Sequence, residues 1–135
     1  MVRSAADACG RLDILVNNAG TTRFIPSAEL SATRALGSSV PCAVSKAALN
    51  HLTRLLAAQL GPRIRVNAVA PGLIGTPWYD EAERFWEDSR DWITANTPLR
   101  RVGGPEDVAE AVLDLTRAAY TTGDVLTVDG GRHIV

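Results

Sequence analysis

The sequence predicts an α/β fold built on a parallel sheet, and three observations support that expectation. Two short runs of branched apolar residues, 12–16 and 125–128, stop at clusters of turn formers. Between them lie helix-length stretches whose apolar residues recur three and four positions apart. A further run, residues 64–70, alternates apolar and polar side chains in the manner of a strand. Strands separated by helices are joined by crossovers, and crossovers give parallel pairing.

Taken in order, residues 2–9 read as the end of a helix closed by Gly10. Leu12, Ile14, Leu15 and Val16 then form a short buried strand that ends at Asn17-Asn18-Ala19-Gly20. Residues 21–40 are polar, contain Pro26 and Gly37, and are expected to be mostly irregular. Residues 41–60 make the best helix in the chain. Pro41 suits the first helical position, where its missing N–H costs nothing. Ala48, Leu52, Leu55 and Leu56 form its stripe, Leu49 and Leu60 widen it, and Gly61-Pro62 stops it. In the strand at 64–70, Ile64, Val66, Ala68 and Ala70 alternate with Arg65, Asn67 and Val69, and Pro71-Gly72 ends it.

Residues 78–96 are amphipathic, with Ala82, Phe85, Trp86 and Ile93 on one helical face. Gly104-Pro105-Glu106-Asp107 opens another helix, with proline at its first position and acids at the positive end of its dipole. Its stripe is Val108, Ala111, Val112 and Leu115. Val125 to Val128 is the last strand, closed by Asp129-Gly130-Gly131. Three parallel strands in one domain, residues 1–135, are expected.

Composition narrows the function. With 46% hydrophobic and 21% charged residues the chain is globular in character. A net charge of -1 without a basic stripe argues against nucleic acid as a partner. Cys9 and Cys42 are too few for a disulfide scaffold and match no zinc spacing, so no metal is expected. No apolar run approaches the ~20 residues that span a bilayer, and the first residues lack a signal-peptide core. A cytoplasmic protein without membrane association is the resulting expectation.

Five segments resemble the short-chain dehydrogenase/reductase family. Asn17-Asn18-Ala19-Gly20 after a strand is similar to that family's Asn-Asn-Ala-Gly motif. Ser45-Lys46-Ala47-Ala48-Leu49 is similar to the helix bearing its catalytic lysine. Arg65-Val66-Asn67-Ala68-Val69-Ala70-Pro71-Gly72, followed by Thr76, resembles its strand and Pro-Gly-x-x-x-Thr loop. Pro105-Glu106-Asp107-Val108-Ala109 and the segment from Thr122 to Gly131 resemble its C-terminal helix and strand. The segments stand in the family's order and cover most of residues 11–131.

The resemblance implies a doubly wound, Rossmann-like parallel sheet and NAD(H) or NADP(H) as cofactor. It implies oxidation or reduction of a small-molecule alcohol/carbonyl pair. In the family a tyrosine four residues before the lysine passes a proton to the substrate oxygen, a spacing that puts both side chains on one helical face. The lysine charge eases the phenol toward neutrality and holds the nicotinamide ribose. By the same resemblance Asn17, Ala19, Gly20, Lys46, Pro71, Gly72, Ile74 and Thr76 lie on the cofactor side. The helix at 41–60 is the one the family uses for dimer packing, so a homo-oligomer is a candidate partner state.

Three departures bear on activity. No Gly-x-Gly-x-x-Gly or looser glycine-rich phosphate loop occurs in the 135 residues, and the chain is expected to begin past that loop. A helix, a strand and their loops normally separate Asn-Asn-Ala-Gly from the lysine helix and need roughly 28 residues. Only the 20 residues 21–40 are present. The sequence changes character near Leu30, so a deletion junction is expected near 29–31, with Ser31 as a remnant of the catalytic-serine region. The catalytic positions are therefore Lys46, Ser31 and Cys42, the last in the tyrosine's place. A thiol sulfur lies ~3 Å from Cα and a tyrosine hydroxyl ~6.5 Å, so the thiol falls ~3–4 Å short of proton-transfer contact. An inert small apolar role is the plainer reading of Cys42.

Other readings stay open on residues alone. Thr76 suits either a helix cap or contact with the nicotinamide amide. Trp78, Tyr79, Phe85, Trp86 and Trp92 suit either core or a substrate lid. His51 and His133 show no acid or metal partner nearby in sequence and read as ordinary exposed residues. An inactive remnant, or a pseudoenzyme acting through dimer-type association, is the alternative to an active oxidoreductase.

Overall fold

The computed structural model describes residues 40–80 and 82–135, with five isolated positions (4, 7, 8, 10 and 14) ahead of them. Five regular elements follow one another: α1 (Val40–Leu60), β1 (Ala68–Pro71), α2 (Glu83–Asn96), α3 (Pro105–Arg117) and β2 (Val125–Val128). Short 3-10 turns occupy Pro77–Tyr79 and Arg132–Ile134. β1 and β2 pair in parallel, Ala68 beside Val125 through Pro71 beside Val128. α2 and α3 form the crossover, and α3 lies against both strands. The α/β parallel architecture expected from sequence is present.

Its details differ in five places. Two parallel strands are present among the described residues rather than three. Most of the expected strand at 12–16 lies outside the described residues, and Ile14 is in no strand and is 58% exposed. Among the isolated positions, Ser4, Asp7 and Ala8 are helical, and Gly10 has φ 76°, as a glycine closing a helix should.

The strand expected at 64–70 begins only at Ala68. Residues 65–67 are held by one backbone bond, from the Gly123 N–H to the Val66 carbonyl, and otherwise by side chains. The Val66 N–H donates to Thr122 Oγ1, while Asn67 donates to the Thr121 carbonyl and accepts from the Asp124 N–H. The Arg65 guanidinium donates to the carbonyls of Leu115, Thr116, Ala118 and Thr121, closing the C-terminal end of α3. These carbonyls have no helical partner of their own.

The helical segment expected at 78–96 divides into the 3-10 turn at Pro77–Tyr79 and α2. Its apolar face is as expected: Ile93 is buried at 3% exposure and Ala82, Phe85 and Trp86 are half-buried. α3 also starts where its sequence signal places it. Asp107 accepts the Gly104 N–H at 2.7 Å and a two-pronged ion pair from Arg101 at 2.8 and 2.6 Å.

The helix at 40–60 is confirmed in extent, but not in the face that packs. Thr53 and Ala57 are its buried residues, while Leu49, Leu52 and Leu55 of the expected stripe are 45–54% exposed. Ala57 packs against Gly123, its methyl 3.4 Å from where a Cβ on that glycine would stand. Leu73 joins Ala57 and Ile93 as the buried apolar residues, and Thr97 is buried with its hydroxyl donating to the Ile93 carbonyl.

Candidate functional site

The loop that leaves β1 is the best-defined part of the site. Gly72 follows the strand and lies so close to Asp129 that a Cβ there would come within 2.7 Å of the aspartate Cβ. Ile74 then forms an isolated parallel bridge with Gly103: the Gly75 N–H donates to the Gly103 carbonyl and the Gly103 N–H to the Leu73 carbonyl. This register turns the backbone of Ile74 itself away from Gly103. Its N–H has no hydrogen-bond partner among the described residues. The Thr76 hydroxyl likewise makes no capping bond to the 3-10 turn it precedes, so the capping alternative is not what the structure uses.

Beyond Thr76 the aromatic residues gather. Tyr79 lies 5.2 Å from Trp86 and 6.1 Å from Phe85, centroid to centroid. Trp86 reaches back to the loop, its ring edge 3.5 Å from where a Gly75 Cβ would stand. Thr76, Pro77, Tyr79, Asp80, Glu83 and Trp86 surround an open cleft of about 540 Å³. Burial pushes the Tyr79 phenol above its ordinary value, against the opposing pull of the Arg132 charge. Trp92 stands apart, with the Arg132 guanidinium 5.8 Å over its ring, and Trp78 is half exposed. Tyr79 and Trp86 line the cleft, and Phe85 stacks on Tyr79.

Cys42 and Lys46 lie four residues apart on α1, as the resemblance requires. Cys42 is half-buried and in no disulfide. Lys46 is exposed, and its ammonium makes no ion pair among the described residues. Asn17, Ala19, Gly20 and Ser31 lie outside the described residues.

His133 is a correction. It was expected to have no acid partner, yet its Nδ1 lies 3.0 Å from both carboxylate oxygens of Asp129. The Asp129 carboxylate also accepts the N–H groups of Gly131 and His133. Burial raises this carboxyl, but the His133 ring, those N–H bonds and the imidazolium charge outweigh it, leaving the group below its ordinary value. Gly131, at φ 87°, makes the turn that brings His133 back; a side chain there would strike Pro98. The four-residue spacing from Asp129 to His133 is the sequence signal that could have found the pair. No helix among the described residues is long and apolar enough to cross a membrane, and no group of three metal-ligating side chains gathers among them.

Comparison with known proteins places the chain in a family. The profile described as Enoyl-(Acyl carrier protein) reductase matches residues 22–133. The chain is 43% identical to the protein of Streptomyces violaceoruber named as ketoacyl reductase 2 of the granaticin polyketide synthase. That alignment runs over 179 residues, covering 100% of this chain and 72% of the relative. Among solved structures, a small-chain dehydrogenase in complex with NADPH is 35% identical with a TM-score of 0.63, over 69% of this chain and 42% of that one. A short chain dehydrogenase/reductase family protein is 31% identical with a TM-score of 0.71, over 99% of this chain and 72% of that one. The chain thus spans less than half the length of the first of these structures. Its segments, its parallel α/β fold and these matches together make the chain a member of the short-chain dehydrogenase/reductase family of oxidoreductases, with a Rossmann-type fold.

Proposed function

We propose that the protein derives from an NAD(P)-dependent oxidoreductase acting on an alcohol/carbonyl pair, and that this 135-residue chain does not itself complete the reaction. Cys42 carries this reading. It stands four residues before Lys46 on α1, where the family's proton donor belongs, and its thiol is too short to reach the substrate oxygen.

The residues present fit the nicotinamide end of the cofactor. The Ile74 N–H and the Thr76 hydroxyl are two donors on one loop with no partner among the described residues, suited to an amide-bearing ring. Bound nicotinamide would supply the hydride. Lys46 would hold the ribose, with Pro71 and Gly72 shaping the loop and Asn17, Ala19 and Gly20 completing that side. Ser31 would orient the substrate oxygen. The pyrophosphate lacks a cradle, since no glycine-rich phosphate loop occurs in this sequence.

The alignment over 179 residues of a 135-residue chain leaves at least 44 positions of the relative without a counterpart. That supports a missing segment, which we place near residues 29–31. The test is a titration of NADH and NADPH followed by nicotinamide fluorescence, paired with turnover of simple ketones. Tight binding with turnover would overturn the proposal.

A second reading is favoured by α1. Val44, Leu49, Leu52 and Leu55 leave a broad apolar face exposed on a 21-residue helix. An inactive member of the family would use that face to pair with a second copy or with an active relative. Size-exclusion light scattering on the protein and on Leu52→Glu separates the readings: a dimer that the substitution converts to monomer supports association, and a wild-type monomer refutes it.

A further inference from the structure

We propose that Asp129 and His133 form an acyl-accepting pair, in which the imidazole attacks activated esters and thioesters through Nε2. Neither residue lines the cleft beside Thr76. Asp129 directly follows β2 with its side chain 10% exposed, while the His133 side chain is 58% exposed. The turn wraps the carboxylate: Oδ1 accepts the Gly131 N–H, Oδ2 accepts the His133 N–H, and both oxygens lie 3.0 Å from His133 Nδ1. An ionised carboxylate only accepts hydrogen bonds, so Nδ1 is the nitrogen that carries the proton. The lone pair of the neutral ring is then on Nε2, which makes no hydrogen bond among the described residues. The left-handed Gly131, packed against Pro98, fixes the turn that presents the ring.

A carboxylate on one ring nitrogen holds the tautomer and offsets the positive charge that develops when the other nitrogen attacks. The bond from Nε2 to the carbonyl carbon forms and the bond to the leaving oxygen or sulfur breaks. The leaving group departs with its electron pair and takes up the Nδ1 proton through water. A second water then attacks the acyl-imidazole, releasing the carboxylic acid and returning a proton to the ring. Phosphoryl transfer would need cations around the transferred group. An activated ester needs only the nucleophile and a good leaving group, which makes acyl donors the class this pair suits.

The probe is p-nitrophenyl acetate in excess over the full chain, with release of p-nitrophenolate followed at mildly alkaline pH. His51, exposed on α1, is the internal reference. His133→Gln should lower the turnover rate about 10-fold, whereas His51→Gln should leave it nearly unchanged. Asp129→Asn, checked for retained circular dichroism, should fall close to His133→Gln. Because that substitution also weakens the turn, the tautomer is read separately on the unaltered chain from the ring nitrogen shifts in 15N NMR. A protonated Nδ1 and a bare Nε2 at His133 are expected. Equal losses in the two histidine variants, or a proton on Nε2 of the neutral His133 ring, would overturn the proposal.

Discussion

Arg65→Ala should destabilise the fold by about 2 kcal/mol, although the residue is exposed and makes no ion pair among the described residues. Its guanidinium donates four hydrogen bonds, at 2.8 to 3.2 Å, to the carbonyls of Leu115, Thr116, Ala118 and Thr121. Nη1 has two hydrogens for three of these carbonyls, so three N–H groups serve the four; at roughly 1.5 kcal/mol each where water is excluded the upper sum is near ~4.5 kcal/mol. Here water can replace the guanidinium at every carbonyl, so about a third of that survives. The attraction of a cation to the C-terminal end of α3 adds on the order of 0.5 kcal/mol. The clamp also sets where Thr122 meets the Val66 N–H and where the Gly123 N–H meets the Val66 carbonyl, just before β2 pairs with β1. Thermal unfolding followed by circular dichroism should show a Tm lower by roughly 6–10 °C. Amide exchange at Gly123 and Asp124 should accelerate ahead of α2. Arg65→Lys, which keeps the charge but loses the planar fork, should fall between the two. A change in Arg65→Ala below about 0.5 kcal/mol would refute the clamp, because surface substitutions without a structural role fall in that range.

The remaining expectations are shorter. NADH and NADPH should bind with dissociation constants above ~10 μM, weaker than roughly 7 kcal/mol, by nicotinamide fluorescence. A lower constant would mean that the phosphates find donors this sequence does not advertise. Cys42→Tyr should restore the reach of a proton donor without restoring turnover, so ketone reduction stays at background; a clear gain would place the defect in Cys42 alone. Acid should unfold the protein through Asp107 and Asp129. The Arg101 hydrogen bonds and the Gly104 N–H hold Asp107 well below the usual carboxylate range despite opposing desolvation, and Asp129 is also lowered. Depressed carboxylates contribute stability above the unfolded value of ~3.9 and lose it as pH falls through the folded value, so stability should drop below about pH 4. Asp107→Asn should flatten that acid limb in a pH series of urea melts. An unchanged limb would show that the Arg101 pair contributes nothing to folding.

What the sequence disclosed, and what it withheld, follows from the range of the forces involved. The start of α3 was readable because its signal is local: Pro105 at the first turn and Asp107 three residues after Gly104, whose N–H it accepts. β2 was readable because four branched or apolar residues end at a glycine pair that must turn. β1 was misjudged at its start because alternation at Ile64, Val66 and Ala68 reports periodicity, not pairing. The side-chain bonds that hold it there reach Thr121, Thr122 and Asp124, more than fifty residues away. The Asp129–His133 pair was missed for a different reason. Its spacing of four looks helical, yet only a left-handed Gly131 folds the chain back enough to join the two.

The face of α1 shows the same limit acting on function. Periodicity identified Leu49, Leu52 and Leu55 as one apolar stripe, but a stripe does not say what covers it. The helix is buried at Thr53 and Ala57, the small residues beside the leucines, with Ala57 against Gly123. The larger leucines are then left outward. Burying one such side chain is worth about 2 kcal/mol, so several of them give a second copy or a relative a substantial reason to dock. Under this reading the catalytic helix of the family keeps its sequence pattern for association while Cys42 gives up the chemistry. Leu52→Glu should dissociate the oligomer while leaving the far-ultraviolet circular dichroism of the chain unchanged. If Leu52→Glu left the oligomer intact, the exposed stripe would not be the association surface, and the second reading would fall with it.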